Sequence, residues 1–170
     1  AAVSAAENQT VVTTVASSDV DGGTAVYSIA GGADAALFTI NSSTGALTFV
    51  AAPDFEAPTD SGSNNVYDVT VQVADGNGGT DTQAIAVTVT NVNEAPVITS
   101  NGGGATASVS AAENQSAATT ITSSDVDGGT AVYSIASGAD AALFTINAST
   151  GALTFLAAPD FEAPADAGAD

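Results

Sequence analysis

The chain has 170 residues and a formal charge of −19, because it contains 19 acidic residues and no Lys, Arg or His. Nucleic-acid and anionic membrane partners are therefore disfavoured, since binding to them depends on Lys and Arg. With no Cys and no His, the chain also lacks a disulfide framework and the usual ligands of zinc and copper.

Apolar residues make up 45% of the chain, which is enough to form cores and argues against disorder. Short apolar runs bounded by Gly, Asn, Asp and Pro predict seven β-strands in the first hundred residues, and no run is long enough to span a membrane. The predicted strands are 3–5, 11–15, 25–29, 37–40, 47–50, 67–73 and 85–89. Seven strands without helical periodicity predict an all-β chain of Greek-key β-sandwiches. The aromatic residues Tyr27, Phe38, Phe49 and Tyr67 fall on core-facing positions.

The sequence repeats itself after 106 residues without a gap. Residues 1–64 align with residues 107–170, and 51 of these 64 positions are identical. Such similarity predicts a tandem array, with repeat 1 at residues 1–96 and repeat 2 at residues 97–170. Nothing in repeat 2 matches residues 65–106, so it is expected to be truncated after its fifth strand, without the last two.

The acidic residues lie mostly in the connections between predicted strands. Successive connections alternate between the two ends of a sandwich, so the strand order assigns each residue to one end. The first and fifth connections and the segment after the last strand share one end, and they contain Glu7, Asp54, Glu56, Asn91, Asn93 and Glu94. The second and sixth connections share the other end, and they contain Asp19, Asp21 and Asp75.

In an array, one end of each repeat is expected to meet the opposite end of the next. Carboxylates would then face each other across the junction and repel by several kcal/mol. Calcium relieves this repulsion, because it takes 6–8 oxygen ligands, whereas magnesium prefers to keep its waters. The predicted metal ligands are Glu7, Asp19, Asp21, Asp54, Glu56, Asp75, Asn91, Asn93, Glu94, Glu113, Asp125, Asp127, Asp160 and Glu162. Six facing carboxylates would balance about three Ca²⁺ ions at a complete junction.

The same motifs resemble those of the cadherin repeat. The similar segments are Glu7-Asn8, Asp19-Val20-Asp21, Asp54-Phe55-Glu56, Ala74-Asp75 and the linker Asn91-Val92-Asn93-Glu94-Ala95-Pro96. The resemblance implies a cadherin/immunoglobulin-like sandwich that binds three Ca²⁺ ions between successive domains. The acidic, Cys-free composition is similar to that of the cadherin-like repeats of large bacterial surface adhesins. The chain departs from the family pattern where Phe55 replaces Arg, Asn91 replaces Asp, and Glu94-Ala95 replaces Asp-Asn.

These features predict a calcium-rigidified extracellular segment of a surface adhesin or fibre, which acts in cell adhesion as a structural spacer. Its expected partners are neighbouring repeats of the same chain, with homotypic or fibre contacts. A carbohydrate-binding or accessory module of a secreted enzyme is the alternative, although the absence of Trp weighs against it. The chain is not expected to be an enzyme, because no His, Cys or Lys is present to act as nucleophile or base. Outside the motifs, we expect solvated carboxylates at Asp34, Asp60, Asp68, Asp81 and Asp166.

Overall fold

The computed structural model describes residues 1–167, so the last three residues of the predicted repeat 2 lie outside the described residues. The chain divides into two compact units, a first unit at Ala1–Asn93 and a second unit that begins at Glu94. Within residues 1–167 no helix has the length and apolar character needed to cross a membrane.

The first unit is a sandwich of two β-sheets built from seven strands. The strands are β1 (Ala2–Ala6), β2 (Val11–Thr14), β3 (Val26–Gly31), β4 (Phe38–Ile40), β5 (Ala46–Phe49), β6 (Val66–Ala74) and β7 (Thr80–Thr90). One sheet has the order β1-β7-β6-β3 and the other the order β2-β5-β4. Strand β1 runs parallel to β7, and the other pairs within these two sheets are antiparallel. The predicted all-β sandwich is confirmed, and each predicted strand overlaps an observed one.

The core of the first unit lies between the two sheets. On β6 the alternation places Tyr67, Val69 and Val71 inward, each no more than 2% exposed, and Leu47 and Val87 are fully buried. Burial of each such side chain contributes about 1.5–3 kcal/mol. The four aromatic residues predicted for the core are all buried there. The rings of Phe38 and Phe49 stack with centroids 4.7 Å apart, and Tyr67 meets Phe49 edge-on at 5.2 Å.

Strand β7 begins at Thr80, five residues before the predicted start at residue 85. Its first residues are polar and exposed, so they show no apolar alternation in the sequence. They nevertheless pair with β6 in continuous antiparallel register, from Ala74 with Thr80 to Val71 with Gln83. Backbone pairing therefore extends the strand beyond the part that the core requires.

The second unit does not reproduce every strand of the matching part of the first. Its strands are β8 (Val97–Ile98), β9 (Ala117–Thr120), β10 (Ser123–Ser124), β11 (Phe144–Ile146) and β12 (Ala152–Phe155), with sheets in the orders β11-β12-β9 and β10-β8. The counterparts of β1 and β3, residues 108–112 and 132–137, are described but form no strand. In the first unit these strands pair with β7 and β6, and the described residues of the second unit include no counterpart of either.

Candidate metal centre

Three carboxylates meet at one end of the first unit. One carboxylate oxygen each from Glu7, Asp54 and Glu56 lies within 4.8 Å of the other two. Glu7 directly follows β1, and the other two belong to the connection between β5 and β6. Strand order predicts these residues at the same end of the sandwich, and the structure brings their side chains together.

Glu7 is buried, with 3% of its surface exposed, although the chain contains no side-chain cation to pair with it. Backbone donors take that place: Phe55 N–H donates to Oε2 at 2.8 Å, and Val92 N–H donates to Oε1 at 2.7 Å. Hydrogen bonds to an ionised acceptor are stronger than neutral ones, and they hold the carboxylate in a fixed orientation. Glu7 therefore joins the connection after β5 to the segment after β7.

The backbone conformation of Asn8 turns the chain directly after Glu7, whose side chain is buried in the first unit. Asn8 adopts a φ of 60°, in the left-handed region that Asn tolerates better than most residues. Its N–H donates to Pro53 O at 3.0 Å, which fixes the chain beside the β5–β6 connection. The second unit repeats this arrangement, with Asn114 at a φ of 61° and its N–H donating to Pro159 O at 2.9 Å.

The exposed carboxylates Asp54 and Glu56 are ordered by shorter-range contacts. Glu56 N–H and Ala57 N–H both donate to Asp54 Oδ1, at 3.0 and 3.1 Å, which forms a turn between the two acidic residues. Asn91 Nδ2 donates to Glu56 Oε1 at 2.7 Å, so a fourth predicted ligand contacts the group. Asn93, the last residue of the first unit, is exposed two residues further along.

The donor set at this end fits a hard divalent cation. All its candidate ligands are carboxylate or amide oxygens, which calcium prefers, and neither a thiolate nor an imidazole is available in the chain. Like charges this close repel one another, and no Lys, Arg or His exists in the chain to neutralise them. A bound cation would supply the missing positive charge, while Glu7, Asp54, Glu56 and Asn91 would hold it.

The remaining predicted ligands of the first unit lie in two connections that line one open pocket. Asp19, Asp21 and Asp75 all line it, together with Asp81. Asp21 N–H donates to Asp19 Oδ1 at 2.9 Å, and Asn77 N–H donates to Asp75 Oδ1 at 2.7 Å, so both acidic residues also form turns. Among residues 1–167, these carboxylates do not form a group of three within 4.8 Å of one another, as those around Glu7 do.

The second unit contains two further groups of predicted ligands. Glu113, Asp160 and Glu162 again place one oxygen each within 4.8 Å of one another, and all three are exposed. Phe161 N–H donates to Glu113 Oε2 at 3.1 Å, as Phe55 N–H does to Glu7. At the start of this unit, Glu94 N–H donates to Asp127 Oδ2 at 2.6 Å, and Asp127 N–H donates to Asp125 Oδ1 at 3.1 Å.

Two carboxylates that were expected to be solvated are buried instead. Asp34 is 5% exposed and Asp60 is 4% exposed, whereas Asp68, Asp81 and Asp166 are exposed as predicted. Burial raises the pKa of Asp60, but hydrogen bonds from the backbone N–H groups of Asn64, Asn65 and Gly62 outweigh it, and the pKa lies below its ordinary value. The prediction failed because backbone donors can stabilise a buried carboxylate, and no sequence motif marks such a site.

Comparison with known proteins identifies the family to which the chain belongs. The Cadherin domain family model matches residues 1–92, more than half of the chain. The chain belongs to the cadherin family. Human protocadherin Fat 4 is 33% identical over 164 residues, which cover 89% of this chain and 3% of that protein, so the chain spans a small part of its relative.

Solved cadherin structures share the fold at lower sequence identity. Human protocadherin-24 EC1-2 has a TM-score of 0.57 at 22% identity, covering 92% of this chain and 76% of that one. Mouse cadherin-23 EC22-24 has a TM-score of 0.52 at 20% identity, covering 95% of this chain and 52% of that one. Cadherin domains are extracellular adhesion and structural modules that bind calcium, in agreement with the oxygen-rich cluster around Glu7.

Proposed function

We propose that the chain is a calcium-rigidified extracellular segment of a surface adhesin or fibre, in which it acts as a structural spacer. The cluster of Glu7, Asp54 and Glu56 carries the proposal, because it gathers three carboxylates in a chain without Lys, Arg or His. A cation from solution is the counter-charge that this arrangement needs, and an extracellular medium rich in calcium supplies it. The carboxylate pair Asp54 and Glu56 is thereby given a structural role, not a catalytic one.

Calcium shared between repeats is the proposed source of rigidity. With repeats at 1–96 and 97–170, about three Ca²⁺ ions would neutralise the acidic residues of a complete junction. The ligands would come from Glu7, Asp54, Glu56, Asn91, Asn93 and Glu94 on one side and from Asp125 and Asp127 on the other. Asp19, Asp21 and Asp75 in the first repeat, and Glu113, Asp160 and Glu162 in the second, would play the equivalent parts at other junctions of an array.

The bacterial-adhesin assignment is also part of the proposal. The named relatives are human and mouse proteins, so it is supported by the sequence alone: two copies identical at 51 of 64 positions, no Cys, and no basic residue. Similar copies in tandem favour a long array, in which neighbouring repeats are the main partners. Homotypic or fibre contacts between arrays would then follow from many identical surfaces.

A calcium titration of the whole chain tests the proposal. We expect saturable binding by isothermal titration calorimetry and a rise in melting temperature, since a ligand at 100 times its Kd stabilises the folded state by about 2.7 kcal/mol. Asp54→Asn should weaken binding at the first unit at least tenfold. Asp68→Asn, which removes an exposed charge from β6, is the matched control and should leave binding unchanged. No calcium-dependent heat or melting shift in the parent chain would rule out the proposal.

A further inference from the structure

The connection between β5 and β6 is long and contains two of the clustered carboxylates. This β5–β6 loop, residues 50–65, contains Asp54 and Glu56 near its start, and it has no helix or strand although all sixteen of its residues are described. Loops of this length without secondary structure are uncommon in compact domains and are often functional. Contacts other than the backbone hydrogen bonds of a helix or sheet must therefore hold the two acidic residues in place.

Asp60 organises the second half of the loop. Gly62 N–H donates to Oδ2 at 2.9 Å, Asn64 N–H reaches both oxygens at 3.1 and 3.0 Å, and Asn65 N–H donates to Oδ1 at 3.0 Å. The carboxylate is 4% exposed, so these backbone donors replace water around it. Three backbone N–H groups between residues 62 and 65 thus close the loop around a single charged side chain.

Asp34 fastens the same loop from outside. It lies between β3 and β4, where its Oδ1 accepts Ser61 N–H at 2.6 Å and its Oδ2 accepts Asp68 N–H at 2.8 Å. Asp34 N–H donates in turn to Asp68 O at 3.0 Å. The loop is therefore bound to β6 through a second buried carboxylate, independently of the residues around Glu7.

One side chain connects this part of the loop to the acidic cluster. Asn65 Nδ2 donates to Phe55 O at 2.8 Å, and Phe55 is the residue between Asp54 and Glu56. Phe55 N–H donates to Glu7, so a continuous series of hydrogen bonds runs from Asp60 through Asn65 and Phe55 to the cluster. Tyr67 Oη adds a further contact, accepting Thr59 N–H at 3.2 Å.

We propose that Asp60, assisted by Asp34 and Asn65, is a positioning residue for the metal ligands Asp54 and Glu56. It orders the β5–β6 loop before a cation binds, so that binding does not have to supply the conformational entropy of ordering it. Outer partners of metal ligands act in this way, and their removal typically costs 10–100-fold in affinity. The inference rests on the proposed calcium binding, but the order of the loop can be measured without calcium.

The test compares Asp60→Asn with the parent chain and with the exposed control Asp68→Asn. Calcium binding at the first unit is followed by the NMR signals of the Phe55 and Val92 amides, and loop order by amide hydrogen exchange in calcium-free buffer. We expect Asp60→Asn to weaken calcium binding 10–100-fold and to speed exchange at Phe55, Gly62 and Asn65. Asp68→Asn should match the parent in both measurements.

A second variant, Asn65→Gly, tests the same role if Asp60→Asn does not fold. Asn65→Gly keeps the positive φ of 62° that this position requires but removes the donor to Phe55 O. It should speed exchange at Phe55 and weaken calcium binding about tenfold. If the parent binds calcium and both variants bind it equally well, the positioning role is wrong. If the parent binds no calcium, the proposed function itself fails.

Discussion

Glu7 is a buried carboxylate whose two oxygens accept backbone N–H groups. Because its two oxygens each accept one N–H, Glu7→Gln leaves one donor facing an amide NH₂ group. An unsatisfied buried donor costs about 1–3 kcal/mol, so we expect the free energy of unfolding of the first unit to fall by that amount in calcium-free buffer. Urea unfolding followed by the amide NMR signals of β6 measures it.

The second copy provides the matched control for this substitution. Glu113 occupies the same motif but is exposed, and among the described residues it accepts one backbone N–H, from Phe161 at 3.1 Å. Glu113→Gln should therefore change the free energy of unfolding by less than about 0.5 kcal/mol. Equal effects of the two substitutions would show that burial and the contact with Val92 do not matter.

At the scale of single residues, the sequence predicted which carboxylates cluster but not which residues are buried among backbone donors. Glu7, Asp54 and Glu56 could be predicted because each lies in a motif and because strand order assigns them to one end. Asp34 and Asp60 could not, since an isolated Asp in a polar loop has the same pattern whether it is solvated or surrounded by backbone donors. The difference depends on how distant loops fold against one another.

At the scale of elements, the two copies show how far local sequence determines strands. The first-copy strands β2, β4 and β5 have counterparts in β9, β11 and β12, and these pair with one another within each unit. The segment matching β3 is nearly identical in sequence yet forms no strand, because in the first unit its partner is β6. Apolar alternation therefore predicts where a strand can form, and its partner decides whether it does.

The β5–β6 loop gives the first unit a specific response to acid. The pKa of Asp60 is lower in the folded unit than the ordinary value of about 3.9 expected after unfolding. Its contribution to stability is therefore fully present above about pH 4 and is lost as the pH falls through the folded pKa. In metal-free buffer, Asp60→Asn should flatten this part of the stability profile measured by urea unfolding between about pH 2 and pH 6. If the free energy of unfolding of Asp60→Asn changed with pH in parallel with that of the parent, the lowered pKa of Asp60 would be contradicted.

At the scale of the whole molecule, the proposal requires that calcium stiffen the array as well as bind to it. Since the chain has no Cys, single labels can be attached at Gln83→Cys and Ser149→Cys, two exposed positions in different units. We expect the distance distribution between spin labels to be broad without calcium and narrower with it. At physiological ionic strength, salt largely screens only charges that are more than about 8 Å apart. The oxygens of each acidic cluster lie within 4.8 Å of one another, so salt alone should not produce the same narrowing.

A chain with both Asp125→Asn and Asp127→Asn distinguishes calcium binding by the first unit from stiffening of the array by calcium. It keeps Glu7, Asp54 and Glu56, so the first unit should still bind calcium, although more weakly. It removes the carboxylates that the second repeat is proposed to contribute, so calcium should no longer narrow the distance distribution. If this chain stiffens as the parent does, the ions are not shared between repeats. The acidic cluster would then stabilise a single domain, and rigidity of the array would need another origin.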